Sequence, residues 1–229
     1  MQTAGLQKLT LVDFPGRVAC TVFTAGCPWR CPFCHNAALV TPGDFPTYPA
    51  EDILSFLETR RGRLDGVAVT GGEPLLQTDL PDFLRAIRNM GFLVKLDTNG
   101  MYPERLRAVL DAGLADYVAM DVKNCPARYA ETVGVPGFDP APVAESLAVL
   151  RRGGVPFETR TTVVRELHTQ ADIEAMGAWI AGDQPHFLQV FRDGGGNLTQ
   201  GLHPWDDETM HALREALLPY LPGVAIRGE

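Results

Sequence analysis

The chain has 229 residues, 45% hydrophobic and 21% charged, with five cysteines and a formal net charge of -8 at pH 7. These proportions are those of a soluble globular protein, and no apolar run approaches the roughly 20 residues that a membrane-spanning helix needs. The acidic excess, with no Lys/Arg cluster to offset it, opposes binding to phosphate backbones, so neither nucleic acid nor a membrane is expected as a partner.

The opening stretch "MQTAGLQKLTLVDFPG" lacks the basic and apolar regions of an export signal, so the expected location is the cytosol. A β-type run follows at Arg17–Phe23, and directly after it "GCPWRCPFCHN" crowds Cys27, Cys31 and Cys34 into eight residues. Ala50–Glu58 has a helical pattern, Gly66–Thr70 reads as a strand, and "TGGEP" comes after it. A helix over Leu80–Met90 opens on Thr78-Asp79-Leu80-Pro81 and stops at Gly91. The strand Leu93–Asp97 leads into "DTNG", the helix Pro103–Ala112 stops at Gly113, and the strand Tyr117–Asp121 runs into "MDVK". "GVPGFDPAP" (Gly134–Pro142) is a long loop, and a helix over Pro142–Arg152 follows it. The remainder is a strand at Phe157–Val163 carrying Arg160, a helix at Ala171–Ile180, a strand at Phe187–Phe191 leading to "FRDGGG", a helix at Asp206–Leu218 and a short strand at Val224–Arg227.

This is a βα rhythm throughout, with no linker long enough to divide the chain. The expectation is an α/β fold of about six βα units, a single domain over residues 1–229. Its form is a partial or nearly closed barrel, the alternative being an open doubly wound sheet. In both, chemistry belongs at the C-terminal ends of the strands, and the unusual residues of this chain fall there repeatedly. That coincidence points to an enzyme.

Three close thiols in a reducing compartment favour metal or redox chemistry over disulfides. A structural zinc site usually closes its tetrahedron with a fourth ligand, and only His35 or Cys125 is at hand. Cys20 reads as a small buried hydrophobe. On a four-iron cluster, three thiolates would leave one iron open for a substrate or cofactor.

Cys27-x3-Cys31-x2-Cys34, with Phe33 just before the third cysteine, resembles the cluster loop of the radical S-adenosylmethionine (radical SAM) enzymes. Gly71-Gly72-Glu73 looks like their "GGE" motif. The resemblance implies that its glycines admit the methionine end of SAM and that Glu73 accepts from the SAM ammonium. Taken alone, the same residues are an ordinary tight turn. Asp97-Thr98 and Asp121-Val122-Lys123 resemble segments of the activases of glycyl-radical enzymes. There Lys123 would pair with the SAM carboxylate, Phe33 and Asp97 would count among the SAM contacts, and Asp97, Thr98 and Asp121 would be candidate ligands of a monovalent cation. Arg160, a buried arginine in need of a carboxylate, would find it in the SAM carboxylate or ribose region. Arg192 stands where the pyruvate formate-lyase activase would show a histidine, so no contact is carried over to it.

Nearly the whole chain is similar to the activating proteins of anaerobic ribonucleoside-triphosphate reductase, in their longer form. The resemblance implies one [4Fe-4S] cluster, SAM as cofactor, a flavodoxin or ferredoxin as electron donor and a glycyl-radical enzyme as partner. The activity implied is that of an oxidoreductase. SAM is cleaved to methionine and a 5′-deoxyadenosyl radical, which takes hydrogen from a glycine of the partner. Two rivals stand beside it: a radical SAM enzyme acting on another glycyl-radical enzyme or on a small molecule or peptide, and a non-catalytic zinc or iron–sulfur module. Trp29 is assigned neither to the cluster nor to the core, and Cys125 has no assigned role.

Overall fold

The computed structural model describes residues 1–40 and 47–228. Among them, eight strands form one sheet whose spatial order is the order of the chain. β1 (Thr3–Thr10) is antiparallel to β2 (Ala19–Thr24). β3 (Gly66–Gly71), β4 (Leu93–Thr98), β5 (Tyr117–Asp121), β6 (Phe157–Val163), β7 (His186–Val190) and β8 (Val224–Arg227) continue in parallel. The crossovers carry α1 (Ala50–Glu58), α2 (Leu80–Asn89), α3 (Pro103–Asp111), α4 (Pro126–Thr132), α5 (Ala141–Arg152), α6 (Gln170–Trp179) and α7 (Asp207–Leu217). Six consecutive βα units therefore run from β2 to α7, as expected. The strand order never reverses, so there is no switch point and the doubly wound alternative falls. β1 and β8 remain the two edges of the sheet.

Alternate residues of each strand face opposite sides, and here the two sides differ in chemistry. Cys20, Val22, Val67, Val69, Val94, Leu96, Val118, Met120, Val163 and Leu188 belong to the apolar core shared with the helices. The opposite set, with Thr21, Asp97, Asp121, Arg160, Thr162 and Gln189, lines a cavity. On α2, Leu80, Phe83, Leu84 and Ile87 are buried, one stripe at helical spacing. At about 2 kcal/mol for each buried side chain, that stripe contributes roughly 8 kcal/mol as an upper figure.

Two elements were not expected. β1 carries glycine and an exposed Gln7-Lys8-Leu9 run, because an edge strand is wet on one side. α4 has only seven residues and opens on a proline, too few for a periodic pattern. Among the described residues, no helix is long and apolar enough to cross a membrane.

Candidate functional site

The strand ends open on a cavity of about 370 Å³, within the range of small-molecule sites. Its wall includes every residue singled out from the sequence: Cys27, Cys31, Cys34, Phe33, Gly71, Gly72, Glu73, Asp97, Thr98, Asp121, Lys123 and Arg160. Arg192 is not among the lining residues, and its guanidinium donates to the Gly228 carbonyl at 2.6 Å. Cys20 lies fully buried in the apolar core, and Cys125 is buried with its Sγ 3.8 Å from Asp172 Oδ1.

The cysteine loop is held from several sides. Gly26 N and Cys27 N donate to the carbonyls of Leu39 and Val40, and Arg30 N donates to Val133 O just after α4. Asn36 Nδ2 reaches Gly71 O, Thr199 N reaches Pro32 O, and His35 Nε2 lies 3.0 Å from Arg192 O with its ring stacked on Phe191. Gly71 and Gly72 serve this packing. A Cβ on Gly72 would stand 2.1 Å from Gly26 O, and one on Gly71 would stand 2.3 Å from Thr24 N. Both glycines therefore stand where the end of β3 crosses the root of the cysteine loop. Gly134 plays the same part against Arg30 O, at 2.4 Å.

The three thiols fit a polynuclear cluster better than a single ion. Among the described residues, no three His, Cys, Asp or Glu side chains converge closely enough to share one metal ion. His35 is engaged with Phe191 and Arg192, and Cys125 is off the cavity, so neither completes a zinc tetrahedron. Three soft sulfur donors around one cavity are the donor set of an iron–sulfur centre with an open position. Burial pushes Cys27 up to about 12 and Cys31 up to about 11, with the Lys123 ammonium opposing that rise at Cys31. Loading a metal there must therefore expel the thiol protons. Asn99 Nδ2 lies 3.8 Å from Cys27 Sγ, and the buried indole Nε1 of Trp29 has no partner among the described residues. Trp29 both lines the cavity and packs edge-on against Tyr129 and Phe138.

Behind the cysteines lies a charge network on the inner face of β4, β5 and β6. Arg160 Nε donates to Asp121 Oδ1 at 3.0 Å and its Nη1 to Asp97 Oδ2 at 3.4 Å. Lys123 Nζ donates to Asp121 Oδ2 at 2.9 Å, and Lys95 Nζ donates to Asp97 Oδ1. Arg160 is thus held by two aspartates of the chain itself. The two cations hold Asp121 near 2, below the usual carboxylate range. Lys123 also lies 5.8 Å over the ring of Phe33, which is 3% exposed.

Glu73 is wholly buried. Its Oε1 accepts from Leu75 N and from the Thr98 hydroxyl, and its Oε2 accepts from Asn99 N. The carboxyl so ties β3's end to β4's end, with one acceptor position of Oε2 still open. Desolvation outweighs these donors and lifts its pKa from 4.5 to about 7. A carboxyl with a raised folded pKa binds its proton more tightly folded than unfolded. Ligand-free protein should therefore lose stability as pH climbs from 4.5 to about 7, by up to about 3 kcal/mol. Urea unfolding across that window checks it: Glu73→Gln should flatten the slope, and an unchanged slope would assign the effect elsewhere.

Asn36, Asn99, Thr162 and Gln189 also line the cavity and were not singled out from the sequence. Asn99 sits inside the "DTNG" motif, whose side chains were the available signal; polar residues at alternate strand positions were the signal for Thr162 and Gln189.

Residues 21–180 match the model of the Radical SAM superfamily. A Methanocaldococcus jannaschii protein bearing the name of a glycyl-radical enzyme activating enzyme is 29% identical over 192 residues, 82% of this chain and 79% of that one. The pyruvate formate-lyase 1-activating enzyme of Escherichia coli K12 is 34% identical over 120 residues. That match takes in 49% of this chain and 48% of the relative, so the likeness spans about half of either length. Among solved structures, SuiB of Streptococcus suis superposes with a TM-score of 0.68 at 17% identity, over 89% of this chain and 47% of its own. QueE of Escherichia coli does so with a TM-score of 0.59 at 17% identity, over 100% and 94%. At such identities these two speak to the fold alone.

Proposed function

The chain belongs to the radical SAM superfamily, and from that premise we propose that it is a glycyl-radical enzyme activating enzyme, serving an anaerobic ribonucleoside-triphosphate reductase. The observation that carries the reading is one cavity holding three thiols, a buried glutamate and two cations at the open ends of β2 to β6. The name borne by the Methanocaldococcus relative supports the activase class. The likeness of "GLQKLTLVDFPGRVACTVFTAGCPWRCPFCHN" to the reductase-activating proteins supports the particular partner.

Cys27, Cys31 and Cys34 would hold a [4Fe-4S] cluster and leave one position open for SAM. When bound and reduced by a flavodoxin or ferredoxin, that cluster supplies the electron that splits SAM into methionine and a 5′-deoxyadenosyl radical. The chain's own part is binding, orientation and the exclusion of water. Glu73 offers its open acceptor position to an N–H of the SAM amino group. Lys123 and Arg160 offer the SAM carboxylate two positively charged donors. Asn99 donates toward Cys27 Sγ, a contact of the kind that tunes a cluster's potential. The sheet runs from β1 to β8 without closing on itself, and a partner's glycine loop would have to enter the cavity at the strand ends to place its α-carbon for hydrogen removal.

The test mixes reduced, cluster-loaded protein with SAM and either the reductase or pyruvate formate-lyase. Electron paramagnetic resonance should give a glycyl doublet with the reductase. A doublet with the lyase alone would move the partner, and SAM cleavage with no doublet from any glycyl-radical enzyme would sink the activase reading.

A further inference from the structure

Lys95 is the least expected side chain on the inner face of the sheet. It is 2% exposed, and a lysine is almost never so buried unless it is paired. In register it lies between Ala68 of β3 and Tyr117 of β5, and the small Ala68 leaves room beside it. Its ammonium takes Asp97 Oδ1, two residues along the same face, while Arg160 takes Oδ2. Asp121 is shared in the same way between Lys123 and Arg160. Two carboxylates thus stand among three cations.

Each carboxylate oxygen of Asp97 and Asp121 thus already accepts from a cation of the chain itself. A sodium or potassium ion between Asp97, Thr98 and Asp121 needs their oxygens free and turned to one point, yet Arg160 bridges the two aspartates. The Thr98 hydroxyl donates to Glu73 at 2.8 Å and accepts from Gly100 N at 3.1 Å. The remaining carboxylates on the wall are also engaged: Asp13 with the Thr21 hydroxyl at 2.5 Å, and Glu73 with its three donors.

We infer that Lys95 is the built-in counter-cation of this site: its ammonium does from within the chain what a monovalent metal ion would do, neutralising Asp97 so that Arg160 and Lys123 can take a ligand carboxylate. This rests on the reading of the cavity as a SAM site. Lys95 does not line the cavity, so it is a positioning residue that acts through Asp97 and Arg160.

The consequence is independence from alkali-metal ions. Calorimetric titration of SAM into the cluster-loaded protein, at equal ionic strength in potassium, sodium or tetramethylammonium chloride, should give affinities agreeing within about twofold. Lys95→Met should weaken SAM about tenfold in tetramethylammonium, with much of the loss restored by potassium or sodium, which a merely structural role would not produce. Two results overturn the inference: wild-type affinity that tightens about tenfold with either metal ion, or a Lys95→Met protein that binds SAM like the wild type in tetramethylammonium. If the variant does not fold, the wild-type salt series decides alone. A cluster-loaded wild type that binds no SAM in any salt overturns the underlying reading, a failure distinct from metal-dependent binding.

Discussion

Cys27→Ala, Cys31→Ala and Cys34→Ala should each abolish reductive SAM cleavage, a loss beyond the roughly 100-fold that follows removal of an outer-shell partner of a metal ligand. The three thiols share one cavity, and neither His35 nor Cys125 is placed to replace a missing one. Iron and sulfide content and the cluster's visible absorption should fall with activity. Far-ultraviolet circular dichroism of the metal-free Cys27→Ala and Cys34→Ala variants should not change, since both thiols are only partly buried. Cys20→Ala and Cys125→Ala supply the contrast. Both thiols sit in the core, so their loss costs about 1–2 kcal/mol of stability through the space left behind, yet each variant should keep its cluster. A Cys31→Ala protein that still cleaved SAM would remove the cysteine loop from the chemistry.

Gly72→Ala should cost at least about 3 kcal/mol, because its Cβ would stand 2.1 Å from one backbone oxygen, a contact no rotamer relieves. The oxygen belongs to Gly26, next to Cys27, so the strain falls on the root of the cysteine loop. Cluster loading should therefore drop further than urea stability does. Gly91→Ala separates the two physical causes of a glycine requirement. Gly91 has φ +92° with nothing within 4 Å of the added Cβ, so it should lose only the roughly 1–2 kcal/mol of left-handed backbone strain and load its cluster normally. Equal effects of the two substitutions on cluster content would mean that the Gly26 contact does not position the loop.

The βα order was legible because each parallel strand keeps one apolar face and each helix one apolar stripe, and both leave periodic traces. Tyr117–Asp121, Phe157–Val163 and Ala50–Glu58 have the boundaries expected of them. β1 left no such trace because its outer side is solvent, and α4 is shorter than two helical turns. Thr162 and Gln189 escaped notice for a related reason: a polar residue in a strand reads as surface until the strand is known to face a cavity.

By itself the sequence determined the elements other than β1 and α4, their order and the twelve cavity residues that motif position marked out. Those motifs stand at strand ends, and parallel strands joined in series bring their ends to one side by connectivity alone. The tertiary structure decided what those residues do to one another. It made Gly72 a contact with Gly26, Glu73 a clamp between two strands, and Asp97 the partner of both Lys95 and Arg160. The reason is range. Periodicity and capping act over a few residues, whereas all of these contacts except Lys95 with Asp97 join positions 25 to 63 apart and depend on which strand lies beside which.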